Sequence, residues 1–376
     1  MRWALLIAAL VGCEAVSTSA PTAAPTPAAA TLEVTAAPTV TPAATIPTQR
    51  LAATEVDLGA LPGYLTLFAD VMVGTVSDVS GTEPRQTRIF ERAYGAASPR
   101  VLYRSAATAI DHLRVSRDWI AWIEYADMRG ASDAKIYAMP RPGGARVLVA
   151  DPLHAADLWG RSFDMSLDGS TVYWTVSRMI QGAWRGELWR RELPSAAPEL
   201  VFGTTRSLVT APVASGDLLV YTETEQGDYP TASGSPGPQR IVRRPGGAGA
   251  PRVLADGFAP SIGDGFIAFF DRASGQAAAL LDDGRIVRFG PSAESLAPQA
   301  WGEWMLWYAP VPFWEDGVYV ARPRDGCFAR IAGGRRDLFE SGGYIGAGRV
   351  AWERLMDEKT NRRVLELADL AQVRCN

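Results

Sequence analysis

The chain has 376 residues, with 37 basic and 41 acidic side chains and a formal net charge of −4. This near balance excludes the strong positive field that attracts nucleic acid or anionic lipid, so we expect no nucleic-acid partner. Apolar residues make up 47% of the chain, which also contains 12 tryptophans and 36 glycines. Such a composition predicts a folded protein with a large core.

The N-terminus carries the features of an export signal. Met1-Arg2 supplies a positive charge, and residues 3–10 form an apolar stretch too short to span a bilayer. The stretch ends in Leu10-Val11-Gly12-Cys13, which resembles the lipobox of bacterial lipoproteins. That resemblance implies a signal peptide over residues 1–12, a diacylated Cys13, and anchoring outside the cytoplasm in the bacterial cell envelope, with Cys13 as the only membrane contact. The alternative is an uncleaved anchor or an incidental cysteine.

Residues 13–50 have the composition of a linker. Thr, Ala and Pro dominate, and the stretch contains no aromatic residue. It cannot bury enough apolar surface to offset the entropy of ordering, so we expect an extended, disordered tether between the lipid and a domain over residues 51–376.

One local pattern recurs along the remaining chain: a hydrophobic residue, one spacer and an aromatic residue, at intervals of about 46 residues. It reads Ile120-Ala121-Trp122, Val172-Tyr173-Trp174, Leu219-Val220-Tyr221, Ile267-Ala268-Phe269, Met305-Leu306-Trp307 and Val350-Ala351-Trp352, with the weaker Val71-Met72-Val73 upstream. This interval is typical of the four-stranded antiparallel blades of a β-propeller. We therefore predict an all-β, seven-bladed propeller; because the first repeat is weak, six or eight blades remain open.

The third repeat shows the four strands most clearly. Residues 162–167 alternate in polarity, Asp168-Gly169 supplies a tight turn, and residues 171–177 form a β-branched and aromatic strand. Strands at 187–191 and 199–202 complete the repeat. This order resembles that of TolB-like (WD40-like) β-propeller proteins. The resemblance implies the fold over about residues 60–376, but such repeats occur both in secreted binding proteins and in peptidase domains, so it does not define an activity.

The last repeat lacks a clear fourth strand. Residues 51–58, ahead of the first blade, are the candidate for that strand, which would close the ring and remove an exposed sheet edge. Cys327 and Cys375 are the cysteines other than Cys13, and in an exported chain they suggest a disulfide that fastens the C-terminus to the preceding repeat. Two free buried thiols are the alternative.

The long connections predict where a ligand binds. In a four-stranded meander, the second turn and the link to the next blade lie on one face. Residues 125–133, 178–186, 225–238, 309–316 and 151–162 are long and fall on that face, where recognition residues concentrate. The candidate binding residues are His154, Trp159, Arg161, Trp184, Arg185, Asp228, Tyr229, Trp314, Glu315 and Asp316. In contrast, Trp122, Trp174, Trp307 and Trp352 occupy the aromatic position of the repeat and are predicted to be core.

Catalytic patterns are sparse. The histidines are His112 and His154, and neither lies in a metal-ligand spacing; no Gly-x-Ser-x-Gly motif is present. We therefore favour a binding module for a protein, an envelope polymer or a glycan, with no catalysis, cofactor or metal. The alternative is an extracytoplasmic hydrolase or lyase acting on glycans, in which Asp164, Glu315 and Asp316, together with His154, would supply the acid–base chemistry.

Overall fold

The computed structural model describes residues 48–58, 62–77, 87–105, 109–125, 134–151, 162–180, 183–225, 237–245, 249–290, 297–309, 317–333, 343–357 and 362–374. All of them belong to one compact unit. Within these segments the chain forms 28 β-strands and one short 3-10 helix, Leu370–Gln372. None of the described segments contains a helix long and apolar enough to cross a membrane.

The strands form seven four-stranded antiparallel sheets, which we number as blades. Blade 1 consists of β2 (Pro62–Leu67), β3 (Val71–Ser77), β4 (Thr87–Ala93) and β5 (Arg100–Arg104). Blade 2 consists of β6 (Ala109–Val115), β7 (Trp119–Tyr125), β8 (Lys135–Pro140) and β9 (Val147–Ala150). Blade 3 consists of β10 (Ser162–Asp168), β11 (Thr171–Ile180), β12 (Ala183–Glu192) and β13 (Glu199–Thr204).

The remaining blades follow the same order. Blade 4 consists of β14 (Ser207–Ser215), β15 (Leu218–Glu225), β16 (Gln239–Pro245) and β17 (Arg252–Asp256). Blade 5 consists of β18 (Phe258–Gly263), β19 (Phe266–Asp271), β20 (Gln276–Leu281) and β21 (Ile286–Phe289). Blade 6 consists of β22 (Gln299–Trp301), β23 (Trp304–Ala309), β24 (Gly317–Arg322) and β25 (Cys327–Gly333). Blade 7 combines β26 (Tyr344–Gly346), β27 (Arg349–Asp357) and β28 (Arg362–Asp369) with β1 (Thr54–Val56).

The first strands of the blades form the inside of a ring. Each first strand contacts the first strand of the next blade, in the order β2, β6, β10, β14, β18, β22, β26 and back to β2. A single sheet of this kind leaves an apolar face open, and stacking against the neighbouring blades covers it. The chain is therefore a seven-bladed β-propeller, as the repeat predicts.

Blade 7 is closed by both ends of the described chain. β1 pairs antiparallel with β28, placing Thr54 opposite Leu367 and Val56 opposite Leu365. The prediction that residues 51–58 supply the missing strand is confirmed. Val56 is buried, and so is Leu51, which packs among core residues of blades 6 and 7.

The repeated aromatic residues form the core between blades. Trp122, Trp174, Trp307 and Trp352 are at most 3% exposed, which confirms their predicted position. Trp174 of blade 3, for example, packs in one cluster with Ile136 of blade 2. The recurrence of an aromatic side chain at this position thus reflects the contact that each blade makes with its neighbour.

The two faces of the ring differ. The connections between the first and second strands of the blades are two or three residues long, as at 169–170 and 216–217, and we call their side the short-turn face. The second and third strands are joined by longer connections, such as 126–134 and 226–238, and the described strand ends that they join mark the opposite side, the long-connection face. The predicted long connection 178–186 is wrong: β11 continues to Ile180 and β12 begins at Ala183, with the two residues paired. Met179 and Ile180 suit a strand, so only residues 181–182 separate the two strands.

Candidate binding site

Most of the predicted binding residues lie outside the described residues. They are His154, Trp159, Arg161, Asp228, Tyr229, Trp314, Glu315 and Asp316. The predicted lipidation site Cys13 and the predicted disulfide partner Cys375 also lie outside the described residues. Trp184 and Arg185, which were expected in a loop, lie on strand β12 opposite Met179 and Arg178. The extension of the two strands places them near the end of the hairpin on the long-connection face.

Arg185 has a structural partner. Its Nε lies 2.7 Å from Oε1 of Glu187, a carboxylate that is almost completely buried. Glu187 also accepts a hydrogen bond from the indole of Trp189, which stacks on Trp174. A buried carboxylate requires a compensating charge, so Arg185 stabilises blade 3 as well as being half exposed at its surface.

A polar cluster that the sequence interpretation did not assemble lies at the first strands of blades 1 to 3. We call it the axial cluster; its members are Tyr64 on β2, Asp111, His112 and Arg114 on β6, and Asp164 on β10. Tyr64, Asp111 and Asp164 are each the third residue of their strand. Because first strands run from the long-connection face to the short-turn face, the cluster lies toward the long-connection face.

A bulge in the first strand presents His112. The pairing of β6 with β7 shifts between Asp111 and Arg114, which leaves His112 and Leu113 unpaired in the ladder. His112 has φ 49°, a left-handed conformation that costs energy for a residue other than glycine. Blades 4 and 5 carry the same kind of bulge, with Ala211 at φ 47° and Ala259 at φ 54°. The bulge is therefore a property of the fold, whereas the imidazole is particular to blade 2.

The contacts within the axial cluster run from Tyr64 to Arg114. The Tyr64 hydroxyl donates to Oδ1 of Asp111, and Oδ2 of Asp111 lies 3.3 Å from Nδ1 of His112. On the other side of the imidazole, Nε2 of His112 lies 3.8 Å from Oδ1 of Asp164. The same oxygen lies 3.4 Å from Nη2 of Arg114. The imidazole is thus flanked by two carboxylates from neighbouring blades.

The cluster holds Asp111 ionised and Tyr64 neutral. Burial acts to raise the pKa of Asp111, but the contacts with His112 and the hydrogen bond from Tyr64 outweigh it and lower the pKa to about 2. Burial, and then the hydrogen bond to Asp111, raise the pKa of the Tyr64 hydroxyl well above its usual range. A permanent carboxylate beside Nδ1 favours the tautomer with the proton on that nitrogen, which leaves Nε2 as an acceptor.

The part of the cluster nearest Asp164 is open. Among the described residues, Oδ1 of Asp164 accepts a hydrogen bond from its own neighbour, the Met165 N–H at 2.9 Å, and Oδ2 has no partner. The side chain is 23% exposed and that of His112 is 24% exposed. Neither is sealed in the core, so a ligand group from the ring axis can reach both. Within the described segments, no three or more acidic, histidine or cysteine side chains are arranged to hold a metal ion.

A sequence signal for this cluster exists in the repeat itself. Asp111 and Asp164 occupy corresponding positions of successive first strands, because they pair with Ile123 and Thr175, each of which follows the aromatic residue of its repeat. Later first strands have Ala211-Pro212 or Ala259-Pro260 near this position. Of the cluster, the sequence interpretation considered only Asp164, and with Glu315, Asp316 and His154 as its partners; the neighbours found within the described residues are His112 and Arg114 instead.

Comparison with solved structures supports the fold. The β-propeller domain of the Trilobed protease from Pyrococcus furiosus aligns with a TM-score of 0.59 and 11% identity, over 84% of this chain and 95% of that domain. The Pyrococcus horikoshii acylaminoacyl peptidase aligns with a TM-score of 0.54 and 12% identity over 81% of this chain, which spans about half (49%) of that enzyme. At such low identity these matches show a propeller and no activity.

Other comparisons add little. A putative TolB from Agrobacterium tumefaciens aligns with a TM-score of 0.36 and 14% identity, over 50% of this chain and 62% of its own, so the TolB-like likeness stays a resemblance in sequence pattern. No protein-family model matches the chain, and no curated protein matches its sequence. These comparisons therefore assign the chain to a fold class and to no family. It is a seven-bladed propeller with a polar cluster on the first strands of blades 1 to 3.

Proposed function

We propose that this protein is a lipid-anchored propeller of the bacterial envelope that binds a protein, an envelope polymer or a glycan at its long-connection face. It acts as a recognition module outside the cytoplasm, held by Cys13 through the tether of residues 13–50. The proposed localisation rests on the export signal and lipobox pattern at the N-terminus.

The observation that carries the proposal is the difference between the two faces. The connections between first and second strands are short, whereas the strand ends joined by the long connections, and the axial cluster near the start of the first strands, lie toward the other face. A rigid scaffold that presents long connections around one opening is the usual arrangement of a recognition surface. The tryptophans predicted there, Trp159 and Trp314, are of the type that contributes most to binding energy.

Direct binding tests the proposal. The chain from residue 14 onward is applied to arrays of glycans, peptides and envelope polymers, and every hit is checked for products. We expect binding without turnover that weakens at least about tenfold in Trp159→Ala or Trp314→Ala. Trp301→Ala is the matched control, because Trp301 is 41% exposed at the end of β22 beside the short-turn face. Equal loss in Trp301→Ala would contradict the assignment of the face.

A second function, cleavage of a glycan by a hydrolase or lyase reaction, is favoured by one observation. Asp111 and His112 form a carboxylate–imidazole pair whose Nε2 is free to take a proton, and Asp164 lies across from it. If product analysis detects turnover, His112→Asn should abolish it, because the base is lost. Turnover that survives His112→Asn would remove the axial cluster from the chemistry.

A further inference from the structure

The open side of the axial cluster has the geometry of a small receptor. Nε2 of His112 and Oδ1 of Asp164 lie 3.8 Å apart, too far for a hydrogen bond with each other. Two atoms at that separation can both lie within about 2.9 Å of one third atom. A single ligand atom can therefore bridge the imidazole and the carboxylate.

The protonation of the cluster selects what that atom is. With its proton on Nδ1, beside the ionised Asp111, His112 presents an acceptor at Nε2; Nδ1 itself is buried and makes no well-aligned hydrogen bond. Asp164 is also an acceptor. A hydroxyl has one hydrogen and satisfies one of the two, whereas a primary ammonium has three and satisfies both.

The charge of the cluster agrees with this choice. Asp111 and Asp164 carry two negative charges and Arg114 one positive charge, while the Tyr64 hydroxyl is neutral. These three charged side chains together have a net charge of −1. An ammonium group brings this to zero and forms a charge-assisted hydrogen bond with Asp164.

We propose that the axial cluster binds a primary ammonium group of the ligand, held between Nε2 of His112 and the carboxylate of Asp164. This rests on the proposed function and defines the ligand chemistry at the ring axis. Peptide amino groups and amino sugars both carry such a group.

The arrangement of the supporting residues explains their presence. Tyr64 donates to Asp111, which fixes that carboxylate beside Nδ1, and Arg114 lies 3.4 Å from Oδ1 of Asp164, which helps to hold the second carboxylate beside Nε2. The bulge that turns His112 toward Asp164 requires no histidine, since alanine occupies the equivalent place in blades 4 and 5. The strained position thus carries an imidazole that the backbone does not need.

Nitrogen NMR of the histidine side chains tests the proposal directly. The chain contains two histidines, so ¹⁵N-imidazole labelling gives two sets of signals, which His112→Asn assigns. Asn tolerates a positive φ, so this variant keeps the bulge. The probes are n-butylammonium, n-butanol and n-butyltrimethylammonium, which differ in charge and in hydrogen-bond donors. Glycylglycine amide and glucosamine then distinguish a peptide amine from an amino sugar.

The expected result is a saturable shift of the His112 Nε2 signal at pH 8 with n-butylammonium and not with the other two butyl probes. Asp164→Asn should weaken it about tenfold or more. Asp217→Asn, an exposed carboxylate in the short turn after β14, should leave it unchanged. An equal response to the quaternary probe, or an unchanged response in Asp164→Asn, would overturn the proposal.

The two proposals fail separately. Suppose that glycan or polymer binding depends on Trp159 and Trp314, while no amine shifts the His112 signals. The long-connection face then binds its ligand without an ammonium site. If the amine response is present but no macromolecule binds, the axial site stands and the larger recognition surface is wrong.

Discussion

The side chain of Gln372 binds both backbone groups of Ala52. Its amide oxygen accepts a hydrogen bond from the Ala52 N–H at 2.8 Å, and its amide nitrogen donates to the Ala52 carbonyl at 3.2 Å. One side chain thus continues the pairing that β28 makes with β1 through their backbones. Beside it, Gln49 accepts from the Arg374 N–H at 2.8 Å, so both ends of the described chain are joined at blade 7.

Gln372→Ala should loosen this closure. Two exposed hydrogen bonds are lost, so we expect a decrease in the free energy of unfolding of about 1–2 kcal/mol and a fall of about 2–4 °C in the melting temperature. Differential scanning fluorimetry measures it. Gln239→Ala, whose amide makes one contact of 3.5 Å with Thr224, is the control. Equal melting temperatures in the two variants would show that the side chain of Gln372 does not stabilise the closure of blade 7.

Glu124→Ala should be far more costly than the loss of an exposed acidic side chain. Glu124 is 10% exposed and accepts from the Trp122 indole at 3.2 Å, the Tyr103 hydroxyl at 3.1 Å and Arg146 at 2.9 Å. Removing it leaves buried donors without their acceptor, so we expect a loss of about 3–5 kcal/mol in chemical denaturation.

Glu199→Ala provides the comparison for that measurement. Glu199 pairs with Arg190 at 2.8 Å but is 60% exposed, so its removal should cost less than about 1 kcal/mol. Equal effects in the two variants would mean that the Glu124 network contributes no more than a surface ion pair.

The stability of the protein should fall at acid pH partly through Asp111. Its pKa in the folded protein, about 2, is below the ordinary value of 3.8. The carboxylate therefore contributes stability that is fully present above about pH 4 and is lost as the pH falls toward 2. Melting temperatures between pH 2 and 5 should fall less steeply in Asp111→Asn than in the wild type. A parallel decline in the two proteins would contradict the lowered pKa.

Cys327 and Cys375 should form the predicted disulfide. Cys327 begins β25 and is buried. Gln49 donates from its N–H to the carbonyl of Arg330, on the same strand, and also contacts Arg374, the residue before Cys375. A loop of about 49 residues would add on the order of 4 kcal/mol by the chain-entropy model. Thiol titration of the unfolded, unreduced chain should detect neither cysteine.

The single variants complete that test. Cys327→Ser should release one titratable thiol at Cys375 and lower the melting temperature, and Cys375→Ser should match it. Two titratable thiols in the unreduced wild type would show that the cysteines are unpaired.

Much of the fold follows from the sequence, because one interaction repeats. Each blade needs an aromatic side chain against its neighbour, and residues such as Trp122 and Trp307 mark that contact at regular intervals. The closing strand was also predictable, since blade 7 lacks a fourth strand of its own. The hairpin around Trp184 was not predictable, because a charged residue such as Arg185 is more typical of a loop. In the structure Arg185 lies on a strand, where Glu187 balances its charge.

The axial cluster was harder to predict. Period-2 alternation assigns side chains to one of two faces of a strand, and a bulge at His112 breaks that alternation. The partners also come from three blades, so no local motif joins Tyr64, His112 and Asp164. Comparison of corresponding positions between repeats could have brought only Asp111 and Asp164 together.

The place where the chain enters the ring has a mechanical consequence. A pulling force applied ahead of Thr48 reaches the contacts of Thr48 and Gln49 with Arg330 first, then those of Ala52 with Gln372, and only then the β1–β28 ladder. Because Arg330 lies on β25 of blade 6, blades 6 and 7 carry the load first, and the other five blades are loaded only after these bonds yield. The weakest point under tension is therefore the closure of blade 7, and its rupture would open the ring while six sheets remain folded.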